Sequence, residues 1–352
     1  MKREFIKGNE AIAKAALLAG CTQYYGYPIT PSSEVIHTCA QFFPKAGANF
    51  VQAESEVAAI MMCYGASSAG KRVLTASSSP GISLKQEGIS YMAGAELPVV
   101  IINVQRAGPG LGNIWPEQSD YFQSTRVGGH GNYRTVVLAP NSPQEMCDMT
   151  IEAFEIADKY RMPVLLLTDA YIGQVMEPVT FPDHVKKVEK KDWAVYGNKE
   201  SKDNLITSIM MDTKSMEDHN IHLLDKYKEI EENEVQFSEY LIDDADMVVV
   251  AYGITSRVAK NSIDDLRAKG IKVGLFRPVT LWPFPSKRVL EISNTAKVFT
   301  VLELSAGQMV EDIKLTLNGK LPVEFYGRMG GAIPTVDELS AKIEEYCKKH
   351  FA

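Results

Sequence analysis

Four short stretches of this sequence combine residue types and spacings that could do chemistry. Glu54 and Glu56 both open a helix-like run after the short strand-like stretch Phe50–Ala53. A carboxylate at such a junction can hold or accept a proton for a bound ligand, or it can simply complement the positive end of the helix dipole. Helical spacing puts Glu56 on the face of Ile60 and Cys63, which favours it as the inward residue. Arg106 follows the apolar run Pro98–Val104. Its planar fork suits a carboxylate ligand, and an ordinary surface arginine is the alternative. Thr30 belongs to Gly26-Tyr27-Pro28-Ile29-Thr30-Pro31-Ser32-Ser33. Prolines there hold the chain extended and remove amide donors, so no helix starts before Ser32, and Ser32 or Ser33 can cap the one that follows. The turn presents the Thr30 hydroxyl at the end of a strand. Ser77-Ser78-Ser79-Pro80-Gly81 ends another strand and, as a bare string, is a loop.

Other stretches carry less. Gly108-Pro109-Gly110-Leu111-Gly112 lacks the G-x-G-x-x-G spacing and opens no helix, so it reads as a flexible loop over a site and not as a dinucleotide cradle. The six histidines show no metal-ligand spacing. His37 reads as structural, and His130, between two glycines, is the one histidine taken as a site candidate. Cys21, Cys39, Cys63, Cys147 and Cys347 are dispersed and odd in number, which is neither a disulfide framework nor a zinc or iron–sulfur motif.

These residues need elements to position them. Helix-like and strand-like segments alternate to about Asp169: a helix over Glu10–Ala19, the strand Thr22–Tyr27, a helix over Ser33–Phe43, and strands at Arg72–Ala76, Pro98–Val104, Thr135–Leu138 and Pro163–Leu167. Ser142-Pro143-Gln144-Glu145 is a capping box, and Met146, Met149, Ala153, Ile156 and Tyr160 share one face of its helix. Such alternation predicts an α/β fold with a doubly wound, mostly parallel sheet, whose ligands bind beyond the carboxyl ends of the strands. A charged stretch with a polar helix over Ile221–Val235 reads as a solvated connector. A second, smaller α/β pattern resumes at Met247–Gly253. The expected division is 1–180, 181–243 and 244–352.

The net charge of −7 argues against nucleic-acid or anionic-membrane partners. No run reaches membrane-spanning length and the N-terminus lacks a signal peptide's apolar core, so the expected location is cytoplasmic.

Gly26–Ser33, the run Ser55-Glu56-Val57-Ala58-Ala59 followed by Tyr64-Gly65-Ala66, and Trp115-Pro116-Glu117-Gln118-Ser119-Asp120 resemble the α-type subunit of 2-oxoacid:ferredoxin oxidoreductases, which are thiamine diphosphate enzymes. Arg277–Pro285 and Val301–Ser305 resemble the transketolase C-terminal-type domain of the same family, so the likeness spans nearly the whole chain apart from the connector. It implies that 1–180 is a pyrimidine-binding domain in which Glu56 contacts the aminopyrimidine, with Pro28, Ile29, Ser78 and Ser79 beside the cofactor. Arg106 and Thr30 would hold the 2-oxo acid. Neither Gly-Asp-Gly nor Asn-Asn occurs, so the diphosphate and Mg2+ are expected on a β-type partner subunit, and iron–sulfur clusters on γ- or δ-type partners. The implied reaction takes a 2-oxo acid, coenzyme A and ferredoxin to acyl-CoA, CO2 and reduced ferredoxin. Length and the opening Lys7-Gly8-Asn9-Glu10-Ala11 most resemble the branched-chain (2-ketoisovalerate) enzyme, with the 2-oxoglutarate enzyme next. A transketolase-type transferase and a non-catalytic α/β subunit are the other readings.

Overall fold

Strands and helices alternate from Gln23 to Asp169 in the computed structural model, which describes residues 2–351. After β1 (Lys2–Lys7) and α1 (Gly8–Leu18) come β2 (Gln23–Gly26), α2 (Ser33–Phe42), β3 (Asn49–Gln52), α3 (Glu56–Ser68), β4 (Val73–Ser77), α4 (Ser79–Gly94) and β5 (Val99–Gln105). Then follow α5 (Tyr121–Thr125), β6 (Val136–Leu138), α6 (Pro143–Tyr160), β7 (Pro163–Asp169), α7 (Ala170–Gln174) and β8 (Met176–Phe181). Beyond α8 (Thr213–Asn233) lie β9 (Phe237–Tyr240), β10 (Met247–Val250), α9 (Gly253–Ala268), β11 (Val273–Pro278) and β12 (Thr280–Trp282). The chain ends with α10 (Ser286–Ile292), β13 (Val298–Glu303), α11 (Met309–Leu317), β14 (Val323–Gly327) and α12 (Val336–Phe351).

The larger sheet has seven strands in the order β12-β6-β7-β5-β4-β2-β3. All its neighbours are parallel except β12 with β6. β5 and β7 are buried along their whole length, which is why they read as continuous apolar runs. Right-handed crossovers in opposite directions put α2 and α6 on one face and α3 and α4 on the other, the doubly wound arrangement expected. The second sheet runs β14-β13-β10-β11-β9, parallel but for β9. Among the described residues no helix is long and apolar enough to cross a membrane.

Several local expectations change. Ser32 stands at the cap position of α2, but its hydroxyl turns back to the Ile29 carbonyl at 2.8 Å, a tight local turn that outcompetes capping. The Ser-rich run is no loop beyond Ser78, because α4 already begins at Ser79 with Pro80 in its first turn. The end of the 1–180 segment holds β8, paired antiparallel with β1, although Pro178 argues against a central strand; both strands are edges, where Pro is tolerated. The polar helix of the connector begins earlier, at Thr213, and docks through Leu223, Tyr227 and Ile230, which share one stripe.

The two sheets are stitched together. β12, which follows β11 of the second sheet directly, adds to the first sheet beside β6. Arg277 makes a double contact with Glu145 at 2.9 Å, at the start of α6.

Candidate functional site

Glu56 is positioned by a cap. Ser55 adopts extended backbone and accepts a hydrogen bond from Ala58 N at 3.2 Å, so α3 starts at Glu56. This register leaves Glu54 exposed and turns Glu56 inward, 6% exposed, on the face of Ile60 and Cys63. The inward face meets α4 across two glycines. A Cβ on Gly81 would stand 2.1 Å from Ser77 Oγ and 2.7 Å from Glu56 Oε1; one on Gly88 would stand 2.5 Å from Ile60 Cγ2. Two glycines inside a helix cost roughly 1 kcal/mol each in propensity. Here they let the carboxylate approach the backbone.

The strand order does the rest. Arg106 follows β5, Ser77–Ser79 close β4, Pro28–Thr30 follow β2, and Glu56 follows β3. These are four adjacent strands, so every candidate leaves the same carboxyl edge. Pairing between β2 and β4 stops at Tyr24 and Leu74, which opens the sheet toward that edge at the point where the strand order reverses.

Arg106 ties two loops together. Its Nη1 donates to the Thr30 carbonyl and its Nη2 to the Leu111 carbonyl, both at 2.9 Å. Its buried Nε has no partner, and neither do the buried hydroxyls of Ser77 and Ser78. Unpaired buried polar atoms are costly, and all three lie at the carboxyl edge of the sheet, where a ligand is expected. Pro28 and Ile29 are half-buried and Thr30 is exposed. Ser79 differs from Ser78: its hydroxyl donates to Asp120 Oδ2 at 2.6 Å and accepts from Arg106 N at 3.0 Å, so it serves the scaffold. Asp120 also accepts from Asn103 Nδ2 at 2.8 Å, and burial pushes its carboxyl above the usual range.

Two cavities adjoin the Arg106–Thr30 junction. One, of about 820 Å3, is polar and includes Arg106, Ser83, Glu117 and Gln308. The other, about 420 Å3, is lined by Thr30, Ile114, Trp115, Tyr171 and Val175 and has no charged side chain. The Gly-rich loop over the first is pinned at both ends. Glu117 accepts from Gly108 N at 2.8 Å and from Gly330 N at 3.0 Å, while Gln118 bonds Tyr252, Thr255 and Leu304 of the second unit. Leu111 at its tip is 82% exposed.

His130 is exposed and edge-on to Tyr91, in a different cavity bounded by Tyr64 and His219. His37 is exposed on α2. The five cysteines are buried and free. The sequence singled out the runs that hold Ser77, Glu117 and Gln118 without giving these residues a role of their own, and it left Asn103 as part of an apolar strand.

Residues 14–241 match the family model described as pyruvate flavodoxin/ferredoxin oxidoreductase, thiamine diphosphate-binding, and residues 245–339 match pyruvate:ferredoxin oxidoreductase core domain II. The chain is 56% identical over 346 residues to the ketoisovalerate oxidoreductase subunit VorB of Methanothermobacter marburgensis, covering 98% of each. To the 2-oxoglutarate synthase subunit KorA of Archaeoglobus fulgidus it is 39% identical, covering 89% of this chain and 91% of the relative. A solved 2-oxoglutarate:ferredoxin oxidoreductase from Magnetococcus marinus, with 2-oxoglutarate, coenzyme A and succinyl-CoA bound, matches 97% of this chain with a TM-score of 0.87 and 26% identity. This chain spans 65% of that longer one. A split-gene transketolase shares the fold, with a TM-score of 0.60 and 15% identity over 99% of this chain and 100% of the other.

Proposed function

The chain belongs to the pyruvate flavodoxin/ferredoxin oxidoreductase family, and from that premise we propose that it supplies the pyrimidine-binding half of a 2-oxo acid oxidoreductase site, with 2-ketoisovalerate (3-methyl-2-oxobutanoate) as substrate. The observation that carries this reading is the convergence of Glu56, Ser77, Ser78, Thr30 and Arg106 on one edge of four adjacent strands.

The residues fit an aminopyrimidine. Glu56 offers a buried carboxylate for its ring nitrogen, and Ser77 and Ser78 offer hydroxyls without protein partners. When bound, thiamine diphosphate supplies the carbon nucleophile for the 2-oxo group and the electron sink for loss of CO2. Glu56 holds the proton of the ring nitrogen and so sets the tautomer of the pyrimidine. Arg106 holds the substrate carboxylate through its unpaired Nε, and Thr30 adds its exposed hydroxyl. The net reaction consumes the 2-oxo acid, coenzyme A and two oxidised ferredoxins, and yields acyl-CoA, CO2, a proton and two reduced ferredoxins. The diphosphate and Mg2+ belong to a β-type partner and the clusters to γ- or δ-type partners, because this sequence lacks Gly-Asp-Gly and its cysteines are dispersed.

The uncharged cavity beside Thr30 supports a branched aliphatic side chain over 2-oxoglutarate, whose second carboxylate would need a cation there. The test is anaerobic dye reduction by the co-purified complex with 2-ketoisovalerate, 2-oxoglutarate or pyruvate, each with and without coenzyme A, beside Glu56→Gln. Coenzyme A-dependent reduction that prefers the branched acid and collapses in Glu56→Gln is expected. No reduction with any acid would promote a transferase; preference for 2-oxoglutarate would move the substrate assignment.

A further inference from the structure

Lys85 is fully buried, a rare place for a lysine. Its ammonium donates to Thr75 Oγ1 at 2.7 Å and to the Ala76 carbonyl at 3.2 Å. Thr75 in turn donates to the Tyr25 carbonyl at 2.7 Å. These groups lie where β2 and β4 part, so Lys85 takes up acceptors that the opening of the sheet leaves at the floor of the crevice. With two of its three donors used, one proton remains for the seam between α3 and α4.

That seam is regular. Gly81, Lys85 and Gly88 share one stripe of α4, and Glu56, Ile60 and Cys63 share one stripe of α3 with the same spacing. Gly81 abuts Glu56 and Gly88 abuts Ile60, so Lys85 lies between the two contacts. Burial lowers Lys85 to about 8, while Cys63 and Glu56 act in the opposite direction. Cys63 is pushed up to about 12 by burial and stays neutral. Tyr24 and Tyr25 of β2, which interact with the same Cys63, are raised by burial and also stay neutral. Glu56 is the one carboxylate on these two stripes, and no described residue donates a hydrogen bond to it.

We propose that Lys85 is a positioning residue for Glu56, a buried cation that keeps this carboxylate charged at the floor of the crevice; the proposal rests on the reading of Glu56 as the cofactor-facing group. A buried carboxylate without donors tends to take up a proton and become neutral, and a fixed positive charge nearby opposes that.

The assembled complex carrying Lys85→Met tests this, beside Glu56→Gln and the double variant. Loss of the cation should move the acid limb of thiamine diphosphate affinity, read by calorimetry, upward by about one pH unit, and Lys85→Arg should move it back. Melting of the cofactor-free complex gives a second readout. Glu56→Gln alone strands a buried cation, so adding Lys85→Met should raise the melting temperature in that background and lower it in the wild type. An unmoved acid limb together with equal melting shifts in both backgrounds would overturn the proposal. Intact cofactor affinity and turnover in Glu56→Gln alone would overturn the reading of Glu56 itself, and the proposal with it.

Discussion

The Arg106 guanidinium is bonded to the main chain of Thr30, 76 residues away, through Nη1 at 2.9 Å. The same side chain reaches Leu111 at the tip of the Gly-rich loop. One arginine thus fixes the spacing of the two loops that flank the crevice, and it keeps Nε free of protein partners. Arg106→Lys should lose the fork and at least one of these bonds. About 1.5–3 kcal/mol is at stake, so the KM for the 2-oxo acid should rise roughly tenfold to hundredfold, with a smaller loss in kcat. Steady-state dye reduction by the complex reads both.

Gly81→Ala should be damaging out of proportion to its size. The added Cβ meets Ser77 Oγ and Glu56 Oε1 inside van der Waals distance. A cost of about 1–3 kcal/mol in stability is expected, with weakened thiamine diphosphate binding. Gly65→Ala on α3 is the control, because a Cβ there meets nothing within 4 Å. It should be neutral or stabilise by about 1 kcal/mol. Melting and calorimetry separate the two.

Glu117→Ala removes acceptors from Gly108 N and Gly330 N together. It leaves both donors without their partner and loosens the loop, which Gln118 still ties to the second unit. A loss of roughly 1–3 kcal/mol is expected, read as a lower melting temperature with early proteolysis near Gly108.

Asp169 links β7 to the second unit by accepting from Ile172 N and Ile254 N, each at 3.0 Å. Burial pushes its carboxyl up to about 6 from the usual 3.8. The folded state therefore holds this proton more tightly than the unfolded state. The stability it contributes is full below 3.8 and is lost as pH rises through about 6. Asp169→Asn keeps one acceptor and does not titrate. Its deficit against the wild type should be greatest near pH 4 and should shrink by up to about 3 kcal/mol by pH 7. Denaturant unfolding at both pH values measures it.

Ile114→Arg would place a guanidinium in the uncharged cavity beside Thr30. We expect kcat/KM for 2-ketoisovalerate to fall at least about tenfold while that for 2-oxoglutarate falls less or rises. Equal losses for both acids would show that this cavity does not hold the substrate side chain.

Much of the fold was legible because its signals are local. The apolar runs of β5 and β7, the capped start of α6 and the stiff turn after β2 each declare themselves within a few residues. The choice between Glu54 and Glu56 was half legible: helical spacing favoured the inward one, and the cap at Ser55 fixes the register that makes it so. Lys85, Asn103 and Gln118 were not legible, because a buried polar residue is recognisable only through partners distant in sequence. β8 and β9 were lost for a related reason: short edge strands carry little alternation of their own.

The strand β12 has a consequence for how this chain can be divided. The second unit lends its Thr280–Trp282 segment to the first sheet, where it covers β6. A polypeptide stopped at residue 244 would expose the backbone of Val136–Leu138 as a bare apolar ladder, an invitation to intermolecular pairing. Neither half is a self-contained module, then. A cut after Trp282 would instead part β10 from β13 in the second sheet, so any gene fission between the halves must supply a substitute strand.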